Sequence, residues 1–275
     1  MQKSQRFALS ACRPLATLAV SITLLAGCSS VADMVGYDTH SLNLAAGESY
    51  QQVVQEARQK KAIDTTSPTA RRIQTVFNRL KPFANEANQT GVPFDWQLTV
   101  IRSDELNAWA MPGGKMAMYT GLVNKLRLSD AEIAAVIGHE MTHALNEHSK
   151  RAVGQQVLTG VALDVGGRVL ASKTSVNSDV LSTSQNLLSE YGIGKPFSRY
   201  QERDADRGGL VLMAKAGYDP NAAITVWEKM NAVSGNSGNG LSSLMSTHPS
   251  NNARIDDIRK QLPSVMPIYE QSRKR

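Results

Sequence analysis

A His-Glu-x-x-His pattern inside an apolar stretch with helical periodicity limits what this chain can be. It lies in residues 134–150, which read AAVIGHEMTHALNEHSK. Residues four apart on a helix project from the same face, so His139 and His143 can reach one ion together. Glu140 is rotated by about 100° from His139, which places it near that ion without making it a ligand. Because an apolar run precedes His139, we predict a buried pair of metal ligands rather than a polar patch on a helix surface.

A catalytic zinc site needs three protein ligands and one open position, and the third ligand is not obvious. His148 is nine residues from His139, which places it on the opposite side of a continuous helix. The class with three histidines also requires Gly at 146 and His at 149, where this chain has Asn146 and Ser149. We therefore do not expect His148 to be a ligand. It either supports a ligand or lies at the surface, and Glu147 is not expected to take part.

The stretch SRYQERDADRGGL, residues 198–210, offers a better third ligand. Glu202 and Asp206 are four apart on a predicted helix and can face one point, while Arg203 and Arg207 face elsewhere. Taken alone, these residues would be a solvated ladder of charge pairs. A His-Glu-x-x-His helix that lacks a third ligand reverses that preference. We predict Glu202 as a ligand, with Asp206 behind a ligand histidine.

The first 27 residues have the pattern of a secretory signal. A cationic start with Lys3, Arg6 and Arg13 is followed by an apolar run that is short for a bilayer span. The run ends in LLAGC, which resembles the bacterial lipobox and implies that Cys28 is acylated and becomes the mature amino terminus. An Asp at the position of Ser29 would indicate retention in the inner membrane. We therefore expect a lipid anchor in the bacterial outer membrane, facing the periplasm, with an ordinary secretory signal as the alternative.

Composition excludes several other kinds of site. The chain has two cysteines, and only Cys28 lies outside the predicted signal, so neither a disulfide nor a thiolate site is expected in the domain. A mean hydropathy of −0.27 argues against a protein with many membrane spans. The net charge of +6 includes three positive charges in the signal segment, and no basic stripe with aromatic residues is present. Nucleic acid is therefore not an expected partner.

The remaining patterns predict a mostly helical α+β domain with a small sheet, either mixed or antiparallel. Residues 67–262 form this domain, 28–66 a tether with a helix over 48–63, and 263–275 a basic tail. Residues 29–47 are small and polar with no period, which is typical of a tether. FDWQLTVIR alternates like a strand, and NAWAMPGGKMAMYTGLV indicates two strands joined by a Pro-Gly-Gly turn. Residues 150–197 are the least readable part, and they could cover a cleft between the two ligand helices.

Helix starts and ends in this domain are marked by local signals. Ser67 before Pro68 starts one helix, and Ser129 with Glu132 forms a capping-box pattern at the start of the His-Glu-x-x-His helix. The helix that carries Glu202 is expected to end near Gly217. NNARIDDIRKQL is the last predicted helix, and it precedes the basic tail.

The motifs and their order resemble metallopeptidase family 48, a family of gluzincins that includes HtpX and the CAAX prenyl proteases. The resemblance covers roughly residues 68–262 and is carried by NAWAMPGGKMAMYTGL, VIGHEMTHALNEH, SRYQERDAD and THPSNNARI. Within the family the chain is most similar to periplasmic lipoprotein metallopeptidases of the LoiP type. The resemblance implies a zincin-like fold and one Zn2+ ion per chain. It implies the following roles: His139, His143 and Glu202 as ligands, Glu140 as general base, and Asp206 as a support. It further implies that His248 and Arg254 are catalytic residues, although His248 alone would suggest only a turn before a helix.

The resemblance implies a zinc endopeptidase that removes misfolded or misassembled envelope proteins. Asn107, Ala108, Trp109 and Ala110 are expected to form an edge strand along which an extended substrate lies, and a plain structural hairpin explains that pattern equally well. An outer-membrane assembly chaperone with little proteolytic activity is the alternative function, and a structural lipoprotein with an incidental metal is another. The intact Glu140 favours the peptidase.

Overall fold

The computed structural model describes residues 28–165, 196–234, 242–249 and 252–274. The predicted signal peptide lies outside these residues, as does most of the segment predicted to cover the cleft. The described chain is mostly helical with one small sheet, which confirms the predicted fold class. None of the described helices is both long enough and apolar enough to cross a membrane. The labelled elements are α1 Thr39–Gln59, α2 Pro68–Ala87, β1 Gln97–Ile101, β2 Ala108–Met111, β3 Lys115–Tyr119, α3 Thr120–Lys125, α4 Asp130–Leu145, α5 His148–Val165, α6 Arg199–Lys215, α7 Ala222–Ser234, α8 Ser242–Thr247 and α9 Asn252–Ser272.

The sheet is mixed and has three strands in the order β1-β3-β2. β1 runs parallel to β3, and β2 runs antiparallel to it, with Trp109 opposite Ala117. The predicted Pro-Gly-Gly turn joins β2 to β3, with φ of 73° at Gly113 and 82° at Gly114. Both values lie in the left-handed region that glycine adopts without strain, which explains the paired glycines in the sequence.

The two faces of the sheet pack against different layers, because side chains alternate along each strand. One face packs against α2 and α4 in the main core, through Ala108, Ala110, Met116 and Met118. The other face packs against α1, through Trp109, Met111 and Ala117. The hydroxyl of Tyr50 on α1 lies 2.6 Å from that of Thr99 on β1 and fixes the outer layer on the sheet. α4, which carries the His-Glu-x-x-His pattern, is therefore held between the sheet and the carboxy-terminal helices.

The segment predicted to be a tether is helical instead. Residues 28–34 form a short helix, and α1 begins at Thr39 rather than near residue 48. Asp38 caps α1 by accepting hydrogen bonds from the N–H groups of His40 and Ser41. Three of the five buried residues here are alanines, Ala32, Ala45 and Ala46, and the other two are Tyr37 and Leu42. The prediction of a tether was wrong because small side chains, which allow close packing, produce only a weak hydrophobic periodicity in the sequence.

The last helix is also longer than predicted. α9 runs from Asn252 to Ser272 and includes most of the predicted basic tail. Pro263 and Pro267 lie inside it and remove two N–H groups from the helix ladder. Val265, between the two prolines, is buried in the main core. Tertiary packing therefore extends the helix past residues that would end it in isolation.

Candidate metal centre

The site lies where α4 packs closely against α6. A Cβ atom on Gly138 would lie 3.0 Å from the carbonyl oxygen of Gly209, and one on Gly209 would lie 2.8 Å from the amide nitrogen of His139. Backbone atoms would have to shift to admit either methyl group. The two glycines therefore set the spacing at which side chains from the two helices meet.

Capping boxes fix where both helices begin. Ser129 accepts from the N–H of Glu132 on α4, and Glu132 accepts from the N–H of Ser129, as the sequence predicted. Ser198 and Gln201 form the same arrangement on α6. Glu132 also lies 2.8 Å from the Nζ of Lys229, which ties the start of α4 to α7. Because its start is fixed, each helix holds its ligand residues at a defined position along the helix axis.

The three predicted ligands converge. His139 Nε2 lies 3.0 Å from His143 Nε2, and the Glu202 carboxylate oxygens lie 3.6 Å and 3.5 Å from these nitrogens. All three side chains are buried. With Zn–N distances of about 2.0–2.1 Å, two donors of a tetrahedral zinc site are about 3.3 Å apart. The donor set and its spacing therefore fit one zinc ion.

His248 lies against the same point. Its Nδ1 is 2.9 Å from Glu202 Oε1 and 3.2 Å from His139 Nε2, and its Nε2 is 3.3 Å from Glu140 Oε1. With the three predicted ligands it completes a group of four buried residues whose donor atoms all lie within 4.8 Å of one another. A catalytic zinc leaves one position open, and His248 lies where a fourth donor would fill it. Its catalytic role stays a prediction.

Glu140 is buried beside the ligands, as predicted for a general base. Burial raises the pKa of its carboxyl above the ordinary value, against the opposing charge of His248. A carboxyl with a raised pKa is suited to taking up a proton and returning it near neutral pH. For His143, burial lowers the pKa well below the ordinary value, so its ring is neutral, which is the form that binds a metal.

Asp206 and Arg254 form a clamp behind the ligands. Asp206 Oδ1 lies 2.9 Å from His139 Nδ1, so Asp206 stands behind a ligand histidine as the spacing predicted. Arg254 donates to both Asp206 oxygens at 2.8 Å and 2.7 Å, and its NH1 lies 2.6 Å from Glu202 Oε2. Its guanidinium lies 3.6 Å above the ring of Trp227. The structure thus brings Arg254 to the site, where it contacts the predicted ligand Glu202 and the Asp206 carboxylate that supports His139.

His148 is the residue that sequence reasoning placed least well. α4 ends at Leu145, Glu147 has a φ of 49°, and α5 begins at His148, so the helix is not continuous. The turn brings His148 Nδ1 to 2.9 Å from His143 Nδ1, and the residue is fully buried. A surface position is wrong, and the alternative that His148 supports a ligand stays a prediction, with the residue in contact with His143. A left-handed conformation at a glutamate has no local sequence signal.

The predicted substrate strand lies at an edge of the sheet. The N–H of Tyr119 donates to the carbonyl of Asn107 at 3.0 Å, which makes Trp109 the next residue that bonds to β3. The backbone groups of Ala108 and Ala110 therefore face away from β3. Ala110 and His143 line one small cavity together with the start of α1. The edge strand therefore lies beside the helix that carries the ligands.

Comparisons with known proteins agree with this geometry. A family model described as peptidase family M48 matches residues 67–262. A relative named mitochondrial metalloendopeptidase OMA1, from Schizosaccharomyces pombe, is 32% identical over 234 residues, which cover 82% of this chain and 63% of the relative. The protein of that name from Arabidopsis thaliana is 37% identical over 159 residues, or 58% and 30% of the two chains. The beta-barrel assembly-enhancing protease of Escherichia coli (strain K12) is 30% identical over 192 residues, or 68% and 38%. The chain thus matches between 30% and 63% of the length of these relatives.

Proposed function

This chain belongs to peptidase family M48, and from that membership we propose that it is a zinc-dependent endopeptidase. We propose further that it is lipid-anchored in the bacterial envelope and cleaves misfolded or misassembled envelope proteins. The observation that carries the proposal is the convergence of two histidines and a glutamate with donor atoms 3.0–3.6 Å apart. Glu140, a buried carboxyl that is suited to proton transfer, lies beside them.

Each residue of the site has a separate task in peptide hydrolysis. When bound, zinc supplies a Lewis acid that polarises a carbonyl and lowers the pKa of water to about 7. His139, His143 and Glu202 hold the metal, and Arg254 holds the Glu202 carboxylate. Glu140 takes a proton from the attacking water and passes it to the leaving amine, which its raised pKa favours.

The edge strand supplies a means to bind unfolded clients. In this proposal an extended peptide pairs as an added strand with the backbone groups of Ala108 and Ala110, which face away from β3 and are buried in the absence of a peptide. Such pairing uses main-chain hydrogen bonds and tolerates many sequences. It orients the peptide along α4, which carries Glu140. These properties suit an enzyme whose substrates share an unfolded state rather than a sequence.

The proposed location depends on the amino-terminal pattern. LLAGC ends at Cys28, which is partly exposed at the start of the first described helix. The names of the relatives refer to the mitochondrion in one group and to beta-barrel assembly in another. The lipobox-like pattern favours the outer membrane, with the domain in the periplasm. Replacing Cys28 with Ser and fractionating cells tests this: the variant should leave the membrane fraction, and a variant that stays there contradicts the anchor.

The activity is tested with Glu140→Gln and Glu228→Gln, an exposed glutamate on α7 that serves as the control. We expect wild type and both variants to carry one zinc per chain. We expect casein cleavage to fall by about 10²–10⁴-fold in Glu140→Gln only, since general acid–base catalysis contributes that much. A wild type without bound zinc would contradict the metal site. Full cleavage by Glu140→Gln with its zinc retained would contradict the role of Glu140.

The name of the Escherichia coli relative favours one second candidate, an assembly chaperone with little proteolytic activity. His248 at the place of a fourth donor is compatible with a site that rarely cleaves. Cells that lack the protein separate the two functions. If Glu140→Gln restores envelope integrity as fully as wild type, the chaperone is supported, and if it restores nothing, the peptidase is supported.

A further inference from the structure

His148 connects a ligand histidine to a carboxylate that the proposed mechanism does not use. Its Nδ1 lies 2.9 Å from His143 Nδ1, and its Nε2 lies 3.2 Å from Asp204 Oδ2. Asn146 donates to the same Asp204 oxygen at 2.7 Å. We propose that Asp204, His148 and His143 form a hydrogen-bonded relay that fixes the tautomer and the orientation of His143. In this relay His148 is a positioning residue, and the inference rests on the proposed zinc site.

The direction of each hydrogen bond follows from the ligand set. His143 directs Nε2 at His139 and Glu202, so its lone pair is at Nε2 and its proton is at Nδ1. Two facing ring nitrogens form a hydrogen bond only when one donates and the other accepts. His148 Nδ1 must therefore accept from His143, which leaves the proton of a neutral His148 ring at Nε2. The N–H group at Nε2 points at Asp204, whose carboxylate accepts the hydrogen bond.

The surroundings hold His148 in this arrangement. The residue is fully buried, so its ring nitrogens bond to protein rather than to solvent. The side chain of Gln201 donates to the backbone carbonyl of His148 at 2.9 Å, which fixes the start of α5 against α6. Phe197 stacks on the His143 ring, with ring centroids 4.0 Å apart. The ring of His143 is thus held on one face by packing and at Nδ1 by the relay.

The relay gives a role to Asn146, one of the two residues that separate this chain from the class with three histidines. Asn146 lies at the end of α4 and orients Asp204, and the left-handed Glu147 turns the chain so that His148 faces back towards His143. The third histidine of the stretch therefore acts on the metal through a ligand. A metal-ligating imidazole with a partner at its other nitrogen is a better and more rigid ligand.

Two substitutions at His148 separate hydrogen bonding from packing. His148→Leu removes the acceptor, whereas His148→Asn keeps an oxygen near the position of Nδ1. We expect His148→Leu to weaken zinc binding by about 10–100-fold in competition with a chelator, and His148→Asn to recover most of that loss. His40→Leu replaces an exposed histidine and is the matched control, expected to bind zinc like wild type.

A spectroscopic readout follows the proton itself. In protein loaded with Co2+, each ligand histidine whose second nitrogen carries a proton gives a strongly shifted, exchangeable signal in the proton NMR spectrum. We expect the His143 signal in wild type and in His148→Asn. In His148→Leu we expect rapid exchange to remove it, because no acceptor holds the proton.

The outcomes distinguish failure of the relay from failure of the proposed function. Wild type that binds neither metal would overturn the zinc site and the relay with it. Wild type that binds zinc, with His148→Leu binding equally tightly and keeping its signal, would overturn the relay alone. Thermal unfolding in chelator reports folding without metal. If both His148 variants lose stability there and lose zinc affinity equally, His148 is a packing residue and the relay is wrong.

Discussion

Asp204 and Asp206 lie two residues apart on α6, and each stands behind one ligand histidine in a different way. Asp206 contacts His139 directly, its side chain is 4% exposed, and Arg254 holds both of its oxygens. Asp204 has a side chain that is 27% exposed and reaches its ligand only through His148. One support is a buried ion pair, and the other is a chain of hydrogen bonds that ends at a partly exposed carboxylate.

The difference between the two supports separates two tasks, which are to stabilise the fold and to orient a metal ligand. A buried charge without its partner is costly, so the contacts of Asp206 and Arg254 hold the fold together as well as the ligands. A hydrogen bond to a partly exposed carboxylate adds little to folding, yet it still orients an imidazole. Variants of the Asp206 support should therefore change both stability and zinc affinity, and variants of the Asp204 support should change mainly zinc affinity.

The largest expected effect tests this directly in the metal-free protein. Asp206→Ala leaves Arg254 buried with only one carboxylate, and we expect a loss of about 3–5 kcal/mol in the free energy of unfolding. Asp204→Ala should cost below about 1 kcal/mol, because solvent screens its charge. Urea unfolding in chelator measures both values. Equal losses in the two variants would contradict the distinction between the supports.

The pH dependence of stability gives a second, smaller contrast. Burial opposes ionisation of Asp206, but the charge of Arg254 and the hydrogen bond with His139 outweigh it, and its pKa lies below the ordinary value. For Asp204, the hydrogen bond from His148 lowers the pKa against partial burial. A carboxyl whose folded pKa lies below its unfolded value of about 3.9 stabilises the fold above that pH. Its contribution is lost as the pH falls through the folded pKa.

We therefore expect the contribution of these two carboxyls to the stability of the metal-free wild type to be lost as the pH falls below about 4. Asp206→Asn should be less stable at pH 7 and should lose less on acidification, because one linked carboxyl is absent. Asp204→Asn should flatten the curve by less, because solvent screens its partly exposed carboxylate. Urea midpoints measured from pH 7 to pH 3 in chelator give the comparison. A flatter curve for Asp204→Asn than for Asp206→Asn would reverse the assignment of the two supports.

Sequence alone could predict one support but not the other. Asp206 follows from spacing, because residues four apart on a helix share a face and Glu202 was already the best third ligand. Asp204 gains its role from His148, and His148 reaches His143 only because the chain turns at Glu147. That turn depends on how α5 packs, so counting residues along one continuous helix gave the wrong direction for His148.

The fold shows the same division between local and tertiary causes. Helix caps at Ser67 and Ser129 and the glycine turn between β2 and β3 are local, and the sequence predicted them. The early start of α1 and the late end of α9 depend on burial against the sheet and the main core. Small residues weaken the hydrophobic periodicity, and prolines interrupt the helical pattern, so the sequence pattern does not predict such burial. The placement of His248 beside the ligands likewise depends on tertiary structure, and only the family resemblance indicated it.

The smallest expected effect concerns Asn146, which donates to Asp204 rather than to either histidine of the relay. Asn146→Ala removes one hydrogen bond of 2.7 Å to a partly exposed carboxylate. We expect zinc affinity to fall by less than about tenfold, below the effect of His148→Leu, because His148 still holds Asp204. Asn146→Asp places a like charge against Asp204 and should weaken binding more than Ala does. If Ala and Asp act equally, the contact of Asn146 with Asp204 does not contribute, and the relay depends on His148 alone for the position of its carboxylate.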